Sequence, residues 1–307
     1  MQCEAGELVR QGIRGSTARS YASIQKNYVH FCTSYLLRPL PASKDTILLY
    51  IAHLHRNNIS AGSLKVHLAA VRNMHLLNGF TPPDNGDASI KLAVKAVADT
   101  GPAPSQKAPL TYTDLQKLWP VILNSDNSLM WQSVVSLAFF GGLRCSEYAI
   151  NATHHSAPAT VSCISFTQQG HLKYKVPRSK TKAHGLIITL GCSGVAICAT
   201  CTLKEYLKHK VQQGHVQADS CLYTVNSKPL TTALVNSFIA QIVTKVGWDP
   251  NRYSAHSLRA GAATTAAAAG FSEWELKKMG GWESKAYISY VRDINLVAGF
   301  SKRLVNH

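Results

Sequence analysis

Along the first hundred residues, apolar side chains return every three or four positions, the period of one helix face. From Ser16, the positions Tyr21, Ile24, Tyr28, Phe31, Cys32 and Tyr35 define a first helix, closed by Pro39, Pro41 and Ser43. Ile47, Leu48, Ile51 and Leu54 define a second. A third follows Ser63, with Leu64, Leu68, Val71 and His75 on its stripe and Lys65 and Arg72 outside it. Thr81-Pro82-Pro83 interrupts the chain before a short fourth helix bearing Ile90, Val94 and Val97. Short helices joined by short connections predict a compact helical bundle over residues 1–99. Residues 100–109, TGPAPSQKAP, are too rich in proline for a helix and read as a linker.

Residues 110–307 form a second domain of different pattern. Thr111 and Asp114 have the spacing of a capping box ahead of a helix, and another helix runs from Leu129 to about Phe140, ending at Gly141-Gly142. Val161–Phe166, Leu172–Val176 and Leu186–Leu190 are short, rich in β-branched residues and separated by polar turns, so they predict a small antiparallel sheet. Helical spacing resumes near Leu203, over Thr232–Val246 and from His256 onward. The predicted fold class is therefore mainly α with a small antiparallel β-sheet, an α+β chain of two domains. No internal repeat of 20–50 residues is evident.

Composition narrows the function. Of 307 residues, 46% are apolar and 16% charged, which supports a large core and excludes disorder. No run of about 18 apolar residues offers a membrane span. The opening MQCEAGELVRQGIR has no apolar segment of the secretory kind, so the eight cysteines are expected to be reduced, intracellular thiols. Lys and Arg number 32 against 16 Asp and Glu, a net charge of +16. That excess calls for a polyanionic partner, and double-stranded DNA or another phosphate backbone fits better than a membrane, since no basic amphipathic terminal helix or lipidation signal is evident. Residues 1–106 hold 11 of the cations and 6 of the acids, so both domains are basic and a two-domain clamp around a duplex is the expected picture.

Three segments place cations and tyrosines where a phosphodiester can use them. In Gly141-Gly142-Leu143-Arg144-Cys145-Ser146-Glu147, a helix ends in two glycines and then presents a guanidinium suited to phosphate oxygens. In Ser254-Ala255-His256-Ser257-Leu258-Arg259, Ser254 is the expected N-cap, with His256 and Arg259 on one face of the helix start. In Gly280-Gly281-Trp282-Glu283-Ser284, the glycine pair precedes Tyr287 and Tyr290. Each residue has a plainer reading by itself: a surface arginine, a buried histidine, a core tryptophan, an aromatic on a helix face. Between Leu172 and Leu190, the stretch Lys173 to Lys182 adds five cations.

Together these segments resemble the tyrosine recombinases, the family of phage integrases and site-specific DNA recombinases. They are most like those of eukaryotic DIRS and Crypton mobile elements. The family motif is G-L-R-x-x-E, a hairpin lysine, an H-x-L-R box, a G-(H/W) pair, and a tyrosine eight or nine residues further on. Here it matches Arg144 with Glu147, Lys180, His256 with Arg259, Trp282, and Tyr290, in order over about 150 residues. Residues 1–99 are similar to the family's core-binding (SAM-like) domain and 110–307 to its catalytic domain with a C-terminal tail.

The resemblance implies that Tyr290 attacks the DNA to form a 3′-phosphotyrosyl link, without metal or ATP. Arg144 and Arg259 would clamp the transition state, His256 and Trp282 would donate to its oxygens, Lys180 would protonate the leaving 5′ oxygen, and Glu147 would orient its neighbours. Tyr287 competes with Tyr290, and Lys182 or Arg178 with Lys180. Lys65, Arg72, Lys175, Arg178 and Lys182 are expected DNA contacts. A homo-oligomer is implied, a dimer per site and a tetramer on two sites, acting in the nucleus. The tail's stripe of Val291, Ile294, Val297, Phe300 and Leu304 packs either on its own domain or on a neighbouring subunit. Other readings are a silent, host-recruited DNA-binding protein of this fold, or a type IB topoisomerase.

No cofactor is implied. Cys192, Cys198 and Cys201 with His209 resemble a metal site, but Cys198-x-x-Cys201 has no second such pair at the usual distance, and His209 falls on a helix. The expectation is therefore no metal. A cysteine ahead of that helix is also familiar in the element-encoded relatives.

Overall fold

A computed structural model gives the architecture for residues 12–13, 15–83, 86–102, 106–151, 157–177, 185–214, 217–282 and 287–288. Two compact units divide between residues 105 and 106.

In the first unit, small polar residues start the helices where the apolar stripes begin. Helix α1 covers Gly15–Ser34, α2 Lys44–Arg56, α3 Ala61–Leu77 and α4 Ala88–Thr100. Ser43, Ser60 and Asp87 cap α2, α3 and α4 through side-chain oxygens that accept from first-turn amides. The stripes converge on a core that includes Tyr28, Phe31, Tyr50, Ile51, Leu64 and Val71. His75 belongs to this core as a satisfied polar group. Its Nδ1 lies 2.9 Å from the Val71 carbonyl, and its Nε2 accepts the Ala42 N–H at 2.9 Å. Lys65 and Arg72 lie on the exposed side of α3. Tyr35 departs from the expected stripe. Helix α1 stops at Ser34, Leu36 takes a left-handed φ of 53°, and Tyr35 is left 59% exposed.

The second unit opens with α5 (Tyr112–Leu123), started by the Thr111–Asp114 capping box, and α6 (Ser128–Phe140). Strands β1 (Ile164–Phe166), β2 (Leu172–Val176) and β3 (Leu186–Leu190) form an antiparallel sheet in the order β1-β2-β3. Helix α7 covers Ala199–Gln212, α8 Thr232–Lys245, α9 Ala255–Ala268 and α10 Glu273–Gly280. The core joins α5–α9 to the sheet through residues such as Leu118, Leu137, Tyr174, Leu203, Ile239 and Leu258.

Two local expectations differ, and one element was not anticipated. Val161–Cys163 is a 3-10 turn rather than strand, because the Val161 and Ser162 amides donate to the Ser220 and Ala218 carbonyls instead of joining β2. Helical structure after His256 breaks at Ala269–Ser272 before α10. A small hairpin of β4 (Thr224–Val225) and β5 (Lys228–Pro229) turns through Asn226 and Ser227, both at positive φ.

Near the end of the stretch read as linker, the Ala108 N–H donates to the Arg252 carbonyl, and just past it the Leu110 N–H donates to the Ser257 carbonyl at 2.9 Å. Gly261 makes that approach possible, since a Cβ there would stand 1.6 Å from the Leu110 oxygen.

Candidate active site

Helix α6 ends at Gly141, and the chain turns so that Arg144 caps a 3-10 turn, Cys145–Glu147. Glu147 is buried at 1% exposure and holds Arg144 twice. Its Oε2 accepts the Arg144 N–H at 2.8 Å and its Oε1 accepts Nη1 at 3.0 Å. The Arg144 side chain keeps 22% exposure, so it is held by Glu147 without being sealed. A carboxylate that binds both the backbone and the side chain of one arginine leaves that side chain little rotational freedom.

The sheet is tied to this turn. Tyr174 of β2 donates its hydroxyl to the Glu147 carbonyl at 2.5 Å. Burial, with nearby charge including Glu147 behind it, pushes the Tyr174 phenol well up, so it stays a donor. Strand β2 buries Leu172, Tyr174 and Val176 and exposes Lys173 and Lys175 on its other face. Burial also pushes the Cys145 thiol up, which keeps this neighbour of Arg144 protonated.

The second arginine is held differently. The Ser254 N–H bonds the Ser257 hydroxyl at 3.0 Å and the Ala255 N–H bonds Asn236 Oδ1 at 2.8 Å, fixing the start of α9. His256 in this first turn is exposed, whereas Arg259 is 0% exposed. Arg259 Nη1 donates to the Gly142 carbonyl and Nη2 to the Gly280 carbonyl at 2.9 Å. Its guanidinium stacks 4.3 Å from the Trp282 ring. The expected pair of matching phosphate clamps thus differs in placement. Arg144 is partly exposed, while Arg259 is sealed and joins the two glycine pairs.

Trp282 reaches this position because α10 closes in a left-handed cap at Gly281, after which the Trp282 N–H bonds the Lys277 carbonyl. Its ring covers Gly280, where a Cβ would stand 2.1 Å from ring carbon. At 5% exposure it packs with Ala263, Ala266, Leu276 and Tyr287. Tyr287 is 9% exposed, its ring centroid 6.4 Å from that of Trp282.

The structure therefore brings Arg144, Glu147, Arg259 and Trp282 together, with His256 exposed one turn before Arg259. Lys65, Arg72 and Lys175 are exposed on their own elements. Arg178, Lys180, Lys182, Tyr290 and the tail from Val291 lie outside the described residues. The Gly142 and Gly280 carbonyls and Tyr174 carry no motif that marks them in the sequence. Two Gly-Gly pairs flanking the motifs were the available signal.

Residues 109–293 match the phage integrase family. The chain is 24% identical over 317 residues to the recombinase Cre of Escherichia phage P1, covering 96% of this chain and 89% of that one. It shares its fold with the Tn1549 transposon integrase in complex with circular intermediate DNA, at a TM-score of 0.64, 14% identity and coverage of 99% and 98%. A lambda integrase dimer bound to a COC′ core site superposes at a TM-score of 0.64, with 16% identity and coverage of 95% and 94%. The match runs through both arginine segments and the tryptophan segment, and this chain belongs to the phage integrase family, the tyrosine recombinases, as a DNA strand transferase.

Proposed function

We propose that the chain is a site-specific DNA recombinase in which Tyr290 attacks a phosphodiester, forming a 3′-phosphotyrosyl ester and releasing a 5′ hydroxyl. The observation that carries this is the joining of Arg144, Glu147, Arg259 and Trp282 around two glycine pairs, inside a family match that reaches residue 293.

A phenol is a moderate nucleophile and a competent leaving group, with an ordinary pKa of about 10. The ester keeps the bond energy, so the released 5′ hydroxyl of a second strand reverses the step without ATP. Arg144 meets the negative charge that grows on the non-bridging oxygens, held in place by Glu147. Arg259, held by the Gly142 and Gly280 carbonyls, adds a second fixed positive charge to the site. His256 and the Trp282 indole donate to the same oxygens. Lys180, between β2 and β3 in the sequence, protonates the leaving oxygen, with Lys182 and Arg178 as the alternatives. The burial of Tyr287 against Trp282 favours Tyr290 as nucleophile.

Duplex DNA is the substrate, and a dimer occupies each site, in keeping with the DNA-bound relatives. Lys65, Arg72 and Lys175 contact its backbone from their exposed positions. Two dimers pair as a tetramer through the tail after Tyr290. The cysteine ahead of α7 supports placing the chain with the recombinases of eukaryotic mobile elements, and so in the nucleus.

The test is a nicked suicide duplex pool of randomised sequence. Cleavage of a site in the pool loses the short 3′ fragment and traps protein on DNA. An adduct that forms without ATP or added divalent metal, and whose DNA converges on one sequence, is the expected result. No adduct, or one of random sequence, overturns the reading.

A further inference from the structure

Three cysteines between β3 and the start of α7 come together in the fold. Cys192 follows the end of β3, Cys198 is the N-cap of α7, and Cys201 lies in the helix's first turn. All three sulfurs fall within 4.8 Å of one another. Cys192 Sγ is 3.3 Å from Cys201 Sγ and 3.8 Å from Cys198 Sγ. Thiolates on a tetrahedral zinc, at Zn–S of about 2.3 Å, stand about 3.8 Å apart along each edge. One observed separation equals that edge and the other is about half an ångström shorter, so small side-chain movements suffice to seat an ion.

The surrounding chain holds this arrangement. The Ser193 N–H points at Cys198 Sγ at 3.4 Å. Thr200 donates its hydroxyl to both the Leu190 and Gly191 carbonyls at 3.1 Å, fastening the start of α7 to the end of β3. Ile197, Cys198 and Ala199 are buried, while Cys192 and Cys201 are exposed, so one side of the cluster opens to solvent. The N-terminus of a 14-residue helix favours thiolate charge at two of the three positions. His209, the histidine nearest them on α7 in the sequence, is turned to Gln213 on its own helix, Nε2 to Nε2 at 3.3 Å. Among the described residues, the group of ligand atoms within 4.8 Å of one another consists of these three sulfurs, with no imidazole in it.

We propose that Cys192, Cys198 and Cys201 bind a zinc ion as three thiolates, with a water in the fourth position. The ion would pin the loop of residues 191–198, and with it the β3 arm of the hairpin whose other arm carries Lys173 and Lys175. A disulfide would need an oxidant and would leave one of the three sulfurs without a role, so a shared ion accounts for the arrangement better.

The test uses the untagged full-length chain, purified in reducing buffer and dialysed without chelator. Elemental analysis should give close to one zinc per chain. Replacement of zinc by cobalt should give sulfur-to-cobalt charge-transfer bands in the near ultraviolet and the red d–d absorption of a tetrahedral site. Cys192→Ser and Cys201→Ser, both at exposed positions, should each weaken zinc binding at least tenfold while circular dichroism stays unchanged. Chelator should lower the melting temperature of the parent chain but not of a double Cys192→Ser, Cys201→Ser variant. Metal-free protein with all three thiols titratable, a Cys192–Cys201 disulfide under reducing conditions, or full zinc retention by the double variant would each overturn the assignment.

Discussion

The two arginines have the same side chain and different surroundings, and their variants should separate. Arg259 bridges the Gly142 and Gly280 carbonyls under Trp282. Lysine cannot reach both carbonyls or stack its point charge in the same way, so Arg259→Lys should lose about 1–3 kcal/mol of stability along with cleavage. Arg144 is partly exposed, and a lysine there can still pair with Glu147. Arg144→Lys should leave the melting temperature within a few degrees while removing most cleavage, which calorimetry and the suicide-duplex assay read side by side. Equal destabilisation of the two variants would contradict the separate placements. Both arginines were legible as candidate phosphate ligands because each stands in a short motif. Their unequal burial was not, because it depends on carbonyls contributed by distant glycines.

Among elements, the sheet and α9 carry the clearest consequences. Strand β2 alternates buried and exposed residues, so Lys173 and Lys175 stand on a face that the core does not use. Lys173→Glu and Lys175→Glu should keep the melting temperature, and the log–log salt slope of duplex binding should shrink by about 0.9 for each phosphate that is no longer neutralised. An unchanged slope would remove this strand from the interface.

Gly261 faces the opposite situation, since the Leu110 oxygen occupies the space of its missing Cβ. Gly261→Ala should destabilise the second unit by about 1–3 kcal/mol, read by urea unfolding, although alanine is the better helix former. Strand and helix positions were legible wherever the apolar period ran unbroken, as in Leu172–Val176 and Ile47–Leu54. The period failed where partners lay far along the chain. Val161–Cys163 has strand-like composition, yet its amides are taken by residues 218 and 220. Tyr35 keeps the helical spacing one residue beyond the last turn.

For the whole molecule, charge and assembly matter most. With 32 cations against 16 acids shared by both units, duplex affinity should fall steeply between low and physiological salt, and a nearly flat dependence would contradict a multi-phosphate interface. Deleting the residues after Asp293 should preserve single-site binding and abolish recombination between two sites, because the apolar stripe from Val291 to Leu304 would no longer reach a neighbouring subunit. A truncated chain that recombines at the full rate would place the stripe on its own domain. Division into a basic helical unit and a larger mixed unit was legible from the proline-rich break and the change of period. Where the second unit takes hold of the chain was not, because Ala108 carries no sequence sign that Arg252 will pair with it.

In the proposed reaction one tyrosine forms the covalent bond to DNA, and the paired variants Tyr290→Phe and Tyr287→Phe decide which. Each loses a single hydroxyl, so duplex binding should persist in both. On the suicide duplex, Tyr290→Phe should give no covalent protein–DNA adduct, whereas Tyr287→Phe, altered only in its packing on Trp282, should still give one. An adduct from Tyr290→Phe and none from Tyr287→Phe would make Tyr287 the nucleophile and rule out Tyr290.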